Sequence, residues 1–147
     1  MNFIARLMFF LCAGIMLAGC TTVTELPAQV NPAEPATAEY RKAKALLVAF
    51  MQNDPGKFVS LLPEDKQSAF DANRFRTYRF SIVDSLGEPK SFSYVTQLNM
   101  PVFYPYVWKV TFERIDKEGK TLQGEALFRV IAGKTGDEVL IVSFQFL

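Results

Sequence analysis

Beyond Gly87 the apolar residues of this chain recur at every second position through to the C-terminus, and that period limits what the chain can fold into. Phe92, Tyr94, Thr96 and Leu98 alternate with Ser91, Ser93, Val95 and Gln97. Tyr106, Trp108, Val110 and Phe112 alternate with Val107, Lys109, Thr111 and Glu113, and Leu122, Gly124, Ala126, Phe128 and Val130 alternate with Gln123, Glu125 and Arg129. Leu140, Val142, Phe144 and Phe146 close the pattern, with Val139, Ile141, Ser143 and Gln145 on the other side. Side chains of a strand point alternately to its two faces, so these segments are expected to be half-buried antiparallel strands. Asp116-Lys117-Glu118-Gly119-Lys120 and Gly133-Lys134-Thr135-Gly136-Asp137 are the expected hairpin loops. Trp108, centred in the longest alternating run, is expected to be buried on the Phe112 side.

Before Gly87 the spacing is helical. Tyr40, Ala43, Leu47, Phe50 and Met51 share one face, Arg41, Lys42 and Lys44 turn largely away, and Thr37 is placed to cap the first turn. Asp54-Pro55-Gly56 should stop that helix, and Lys57 to Leu62 makes a short helical turn. Pro63 at N1, with Glu64 and Asp65 facing the positive end of the dipole, opens a third helix expected to continue towards Leu86. Phe75, Tyr78, Ile82 and Leu86 suit that helix. Tyr78, Phe80 and Ile82 also alternate as a strand would, and helix is the reading adopted. Gly87 then ends it as a C′ residue.

Helices followed by hairpin-linked strands define an α+β domain, with N-terminal helices packed on one face of a curved antiparallel sheet of about four strands. With Leu86-Gly87 before the first strand, the Tyr106 to Phe112 run and a final Val139 to Phe146 strand, the order resembles the nuclear-transport-factor-2-like and cystatin-like superfold, particularly small bacterial members that carry a signal. That resemblance spans the domain, taken as 38–147. It implies either a binding module or an enzyme of isomerase, dehydratase or cyclase type, in which an Asp or His, often with Tyr, sits inside a conical cavity.

The chain begins differently. Arg6 precedes an uncharged apolar run from Leu7 to Leu17, too short to span a bilayer comfortably, which needs about 20 residues. The run ends in Leu17-Ala18-Gly19-Cys20, which resembles the bacterial lipobox at all four positions. The resemblance implies a signal peptide over 1–19, cleavage before Cys20 and lipid on the Cys20 sulfur, so that the protein is held in the cell envelope. Two or three acyl chains make such attachment stable where one is marginal. Thr21 stands where an aspartate commonly signals inner-membrane retention, which favours the inner leaflet of an outer membrane, facing the periplasm, if the organism has one. Pro27, Pro32 and Pro35 then punctuate a stretch without apolar period, so 20–37 reads as the lipidated cysteine and a flexible linker. As a coil it spans roughly 20–25 Å.

Chemistry is sparse. Cys12 leaves with the signal and Cys20 carries lipid, so the folded part has no thiol; the chain has no histidine. Thiol nucleophiles, Ser-His-Asp triads and typical zinc sites are thereby excluded, and no cofactor or metal is expected. Of the 16 Lys and Arg only Arg6 lies in the signal, which leaves 15 against 15 Asp and Glu and no basic patch for nucleic acid. Asp84 with Tyr78 and Tyr94 forms the one candidate pocket, a carboxyl near phenols, against which stands the favoured reading that Asp84 faces solvent at a helix end. Glu113 and Glu125 fall on the polar alternation, a solvated face.

Met100-Pro101-Val102-Phe103-Tyr104-Pro105-Tyr106 stands out as an aromatic loop whose two prolines should keep it out of a central strand. Phe103, Tyr104 and Tyr106 are either an interaction surface or a lid on the end of the sheet. The function these features point to is a membrane-anchored, non-enzymatic module that binds an envelope protein or an apolar ligand. The alternative is a superfold enzyme acting on a small apolar substrate.

Overall fold

The computed structural model describes residues 32–147, so the expected signal peptide and lipobox and most of the expected linker lie outside the described residues. Four helices, α1 (Ala38–Met51), α2 (Pro55–Ser60), α3 (Glu64–Gln67) and α4 (Ala72–Leu86), precede four strands, β1 (Glu88–Gln97), β2 (Phe103–Ile115), β3 (Thr121–Thr135) and β4 (Glu138–Phe146). The strands form one antiparallel meander in the order β1-β2-β3-β4, which makes β1 and β4 its edges. This is the α+β arrangement that the switch of period implies.

Local chemistry explains the helix ends. Thr37 caps α1 by accepting from the Tyr40 backbone N–H at 3.2 Å. Asn53 turns the chain at φ 53°, and Asp54 caps α2 through the Lys57 N–H with Pro55 in its first turn. The expected third helix is two helices. Asp71 accepts from the Arg74 N–H at 2.9 Å and starts α4 afresh, so the chain breaks between Gln67 and Ala72. Pro63 lies at the N-cap of α3, one position earlier than expected, with Glu64 and Asp65 in the first turn. The segment 75–86 is helical throughout.

The core lies between the helices and the inner face of the sheet. Around the start of α1, the Tyr40 ring meets Tyr94 and Tyr106 at 5.3 Å and Trp108 at 5.7 Å between centroids. Around its end, Phe50 meets Phe75, Tyr78, Phe128 and Phe146 at 5.1–6.4 Å. Trp108 and Phe112 are both fully buried on this face, as the strand phase requires. Such ring pairs contribute about 0.5–1.5 kcal/mol each beyond their burial. Arg79 ties α4 to the end of α1: its Nε donates to the Phe50 carbonyl at 3.2 Å, and its guanidinium reaches the Glu88 carboxylate at 2.7 Å.

Two loops differ from expectation. Strand β3 continues to Thr135, which pairs with Glu138, so only Gly136 and Asp137 join it to β4. Phe103, Tyr104 and Pro105 are not loop: they pair with Gly133, Ala132 and Ile131 as the first residues of the central strand β2. Pro105 is tolerated because its carbonyl accepts from the Leu98 N–H at 2.9 Å, on the β1 side. A strand residue's N and carbonyl face the same neighbour, so the missing N–H points to where β1 has ended and costs β3 no bond.

Candidate interaction surface

Strand parity separates the three aromatic residues of the 100–106 stretch. Tyr106 is fully buried, with its hydroxyl 3.2 Å from Thr37 Oγ1, so it is a core residue and not part of an interaction surface. Tyr104 is half-buried against the core. Phe103 faces outward, 39% exposed, as the parity of β2 requires.

The ring of Phe103 lies across Gly133 on the neighbouring strand. A Cβ at position 133 would stand 3.5 Å from Phe103 Cδ1 and 3.2 Å from Val142 Cγ2, so the glycine leaves room for the ring and brings it beside Val142 on β4. Ahead of it, Val102 holds φ at 67° with its side chain 76% exposed, and Leu98 and Met100 are exposed as well. A positive φ is a genuine outlier for a β-branched residue and costs on the order of 1–3 kcal/mol. The turn between β1 and β2 thus presents apolar side chains to water in a backbone conformation that valine ordinarily avoids.

The proposed Asp84 pocket is not assembled. Asp84 is exposed on α4. Tyr78 packs with Phe50, Phe70 and Phe144, whereas Tyr94 packs with Tyr40 and Trp108, so the two phenols belong to different clusters. Glu125 pairs with Lys109 at 3.0 Å and Glu113 accepts from Gln123 Nε2 at 3.0 Å, both on the outer side. Among the described residues no cluster of His, Cys, Asp or Glu could hold a metal ion, and no helix is long and apolar enough to cross a membrane.

The titratable groups that do stand out are structural. Burial pushes the Tyr40 and Tyr78 hydroxyls up to about 12. Glu39, buried in the first turn of α1, is paired with Lys134 of β3, whose hydrogen bond holds the carboxyl below the usual carboxylate range. A phenol whose folded pKa lies above the unfolded value of about 10 stabilises the fold fully below pH 10 and loses that contribution as pH rises towards 12. Urea midpoints measured at pH values of about 8 and about 11 should therefore fall on the alkaline side. Equal midpoints would show that the two phenols ionise as readily in the folded chain as in the unfolded one.

No family model matches the sequence, and no curated protein matches it. Among solved structures the chain is similar to one from Xanthomonas campestris, provisionally described as a calcium/calmodulin dependent protein kinase II association domain. The similarity covers 79% of this chain and 91% of that one, at 19% sequence identity and a TM-score of 0.46.

Proposed function

We propose that this protein is a lipid-anchored binding module of the bacterial envelope, tethered through Cys20 and engaging a partner through the apolar turn around Val102 and Phe103. The observation that carries the reading is that turn: Leu98, Met100, Val102 and Phe103 are exposed together, and Val102 sits in a conformation it would not choose in isolation. Burying such side chains against a partner is favourable, and truncating a hot-spot residue costs 2 kcal/mol or more of binding, in order of magnitude. A binding role is further supported by the interior, where Tyr40, Tyr94, Tyr106 and Trp108 fill the space between α1 and the sheet and Asp84 stays outside it. The lipobox supports the anchor, and the linker gives the domain reach from the membrane surface.

One set of strains tests both halves. A photo-crosslinking residue at position 102 should yield a discrete adduct in membranes from cells making the otherwise native protein. The adduct should disappear when Phe103→Ala is added, with melting temperature nearly unchanged. Cys20→Ser should leave an uncleaved precursor. A Cys20→Ser protein that matures and fractionates like the native one would remove the anchor, and a large fall in melting temperature for Phe103→Ala would make the turn a core lid.

A further inference from the structure

The outer edge of β4 is capped near its start and open in the middle. Lys42 Nζ donates to the Val139 carbonyl at 2.7 Å. Beyond this cap, parity fixes which backbone groups face away from β3. Val139 points outward, hence so does Ile141; Val142 is the extra residue of a bulge; and Leu147 donates to the Leu127 carbonyl on β3, so Phe144 points outward as well. The outward groups of Ile141 and Phe144, with Val142 between them, border a groove of about 270 Å³ whose far wall is Leu62, Pro63, Ala69, Phe70 and the stem of Lys66, room for a bulky apolar side chain. Next to it along β4, past Leu140, a second depression is lined by Pro63, Glu64, Asp65 and Glu138; the three acids are exposed, and Asp65 also pairs with Lys66 at 3.4 Å.

We infer that this edge takes up a short extended peptide segment of another protein, which adds to β4 at Ile141 and Phe144, inserts an apolar side chain beside Phe70, and carries basic residues against Glu64, Asp65 and Glu138. Unpaired strand groups recognise an extended backbone, and a pocket beside them selects its side chains. The acids select against an acidic segment and make the association salt-dependent. The site adjoins the Phe103 turn at Val142 but does not include Val102 or Phe103, and it does not depend on the lipid anchor.

The probes are two blocked peptides, TVFTKKT and its reversal TKKTFVT, which place the basic residues at the acidic end in antiparallel and parallel addition respectively. Binding of one of them to the full chain in detergent, followed by titration calorimetry and amide hydrogen exchange, should slow exchange at Ile141 and Phe144. Ala69→Trp, at an exposed position, should fill the groove and weaken binding about 10-fold or more. Glu64→Lys with Asp65→Lys should weaken it and remove most of its salt dependence, and N-methylation of alternate peptide amides should abolish it. Binding unaffected by Ala69→Trp, or without protection at Ile141 and Phe144, overturns the proposal. So does concentration-dependent dimerisation through β4 with neither peptide bound, which would assign the edge to a second copy of the chain. Phe103→Ala should leave peptide binding intact, so failure of the turn as a partner site and failure of the groove are separately visible.

Discussion

Replacing Trp108 by Ala is expected to remove about 3–5 kcal/mol of stability, the range for truncating a fully buried aromatic side chain. The indole is wholly enclosed and packs against Tyr40 at 5.7 Å, Tyr106 at 6.1 Å and Tyr94 at 6.2 Å, so three other rings lose their neighbour at once. Those rings come from α1, β1 and β2, and the cavity would open where helix and sheet meet. The indole N–H makes no hydrogen bond of regular geometry, so the loss is chiefly one of packing. Trp108→Phe, which keeps a ring and removes a donor with no regular hydrogen bond, should therefore cost well under half as much. Trp108 is the single tryptophan, so urea unfolding of both variants is best followed by circular dichroism. A loss below about 1 kcal/mol for Trp108→Ala would mean that the indole is not the packing centre described.

The position of Trp108 was legible because β2 runs without a bulge, so that its alternating pattern fixes the face of every residue once one is known to be buried. The bulge at Val142 breaks the same reading in β4, where Ile141 is buried and Val142 exposed. The parity of β2 likewise places Tyr106 inside and Phe103 outside. Reading the 100–106 stretch as a loop obscured this, since proline ordinarily rules out a central strand. Pro105 escapes that rule through a fact of pairing, that β1 ends at Gln97, which no local pattern contains. The break before α4 was hidden for a different reason. Phe70 and Phe75 both suit a buried helical face, and no glycine or proline interrupts them; Asp71, whose side chain caps the new helix, was the available signal.

The candidate sites divide along the same line. Asp84, Tyr78 and Tyr94 were grouped by residue type, yet contact between them depends on how α4 crosses the sheet, and that crossing sends the two tyrosines to different clusters. The Phe103, Gly133 and Val142 contact and the open middle of the β4 edge depend on register and strand order. These are long-range properties, fixed only when all four strands are in place.

Gly87→Ala is the other substitution expected to have a large effect, through the backbone and not through packing. Gly87 ends α4 at φ 95° and ψ −172°, not the left-handed helical geometry of an ordinary C′ glycine but a region essentially closed to residues with a side chain. Occupying it costs on the order of 1–3 kcal/mol for strain alone. Space adds to that, because a Cβ built there would stand 2.3 Å from the Glu113 carbonyl oxygen and 2.6 Å from its carbon. Those atoms are backbone of the central strand β2 and cannot rotate away as a side-chain tip could. Relief requires β1 to part from β2 beside the Glu88 and Glu113 pair, where the sheet begins, or α4 to unwind at its last turn, where the Gly87 N–H donates to the Val83 carbonyl at 2.8 Å. The combined cost should reach about 3 kcal/mol or more, enough to unfold a domain of ordinary marginal stability. Hydrogen exchange should show the loss first at the β1 amides next to β2, and a Gly87→Ala protein as stable as the native one would require a different path from α4 into the sheet.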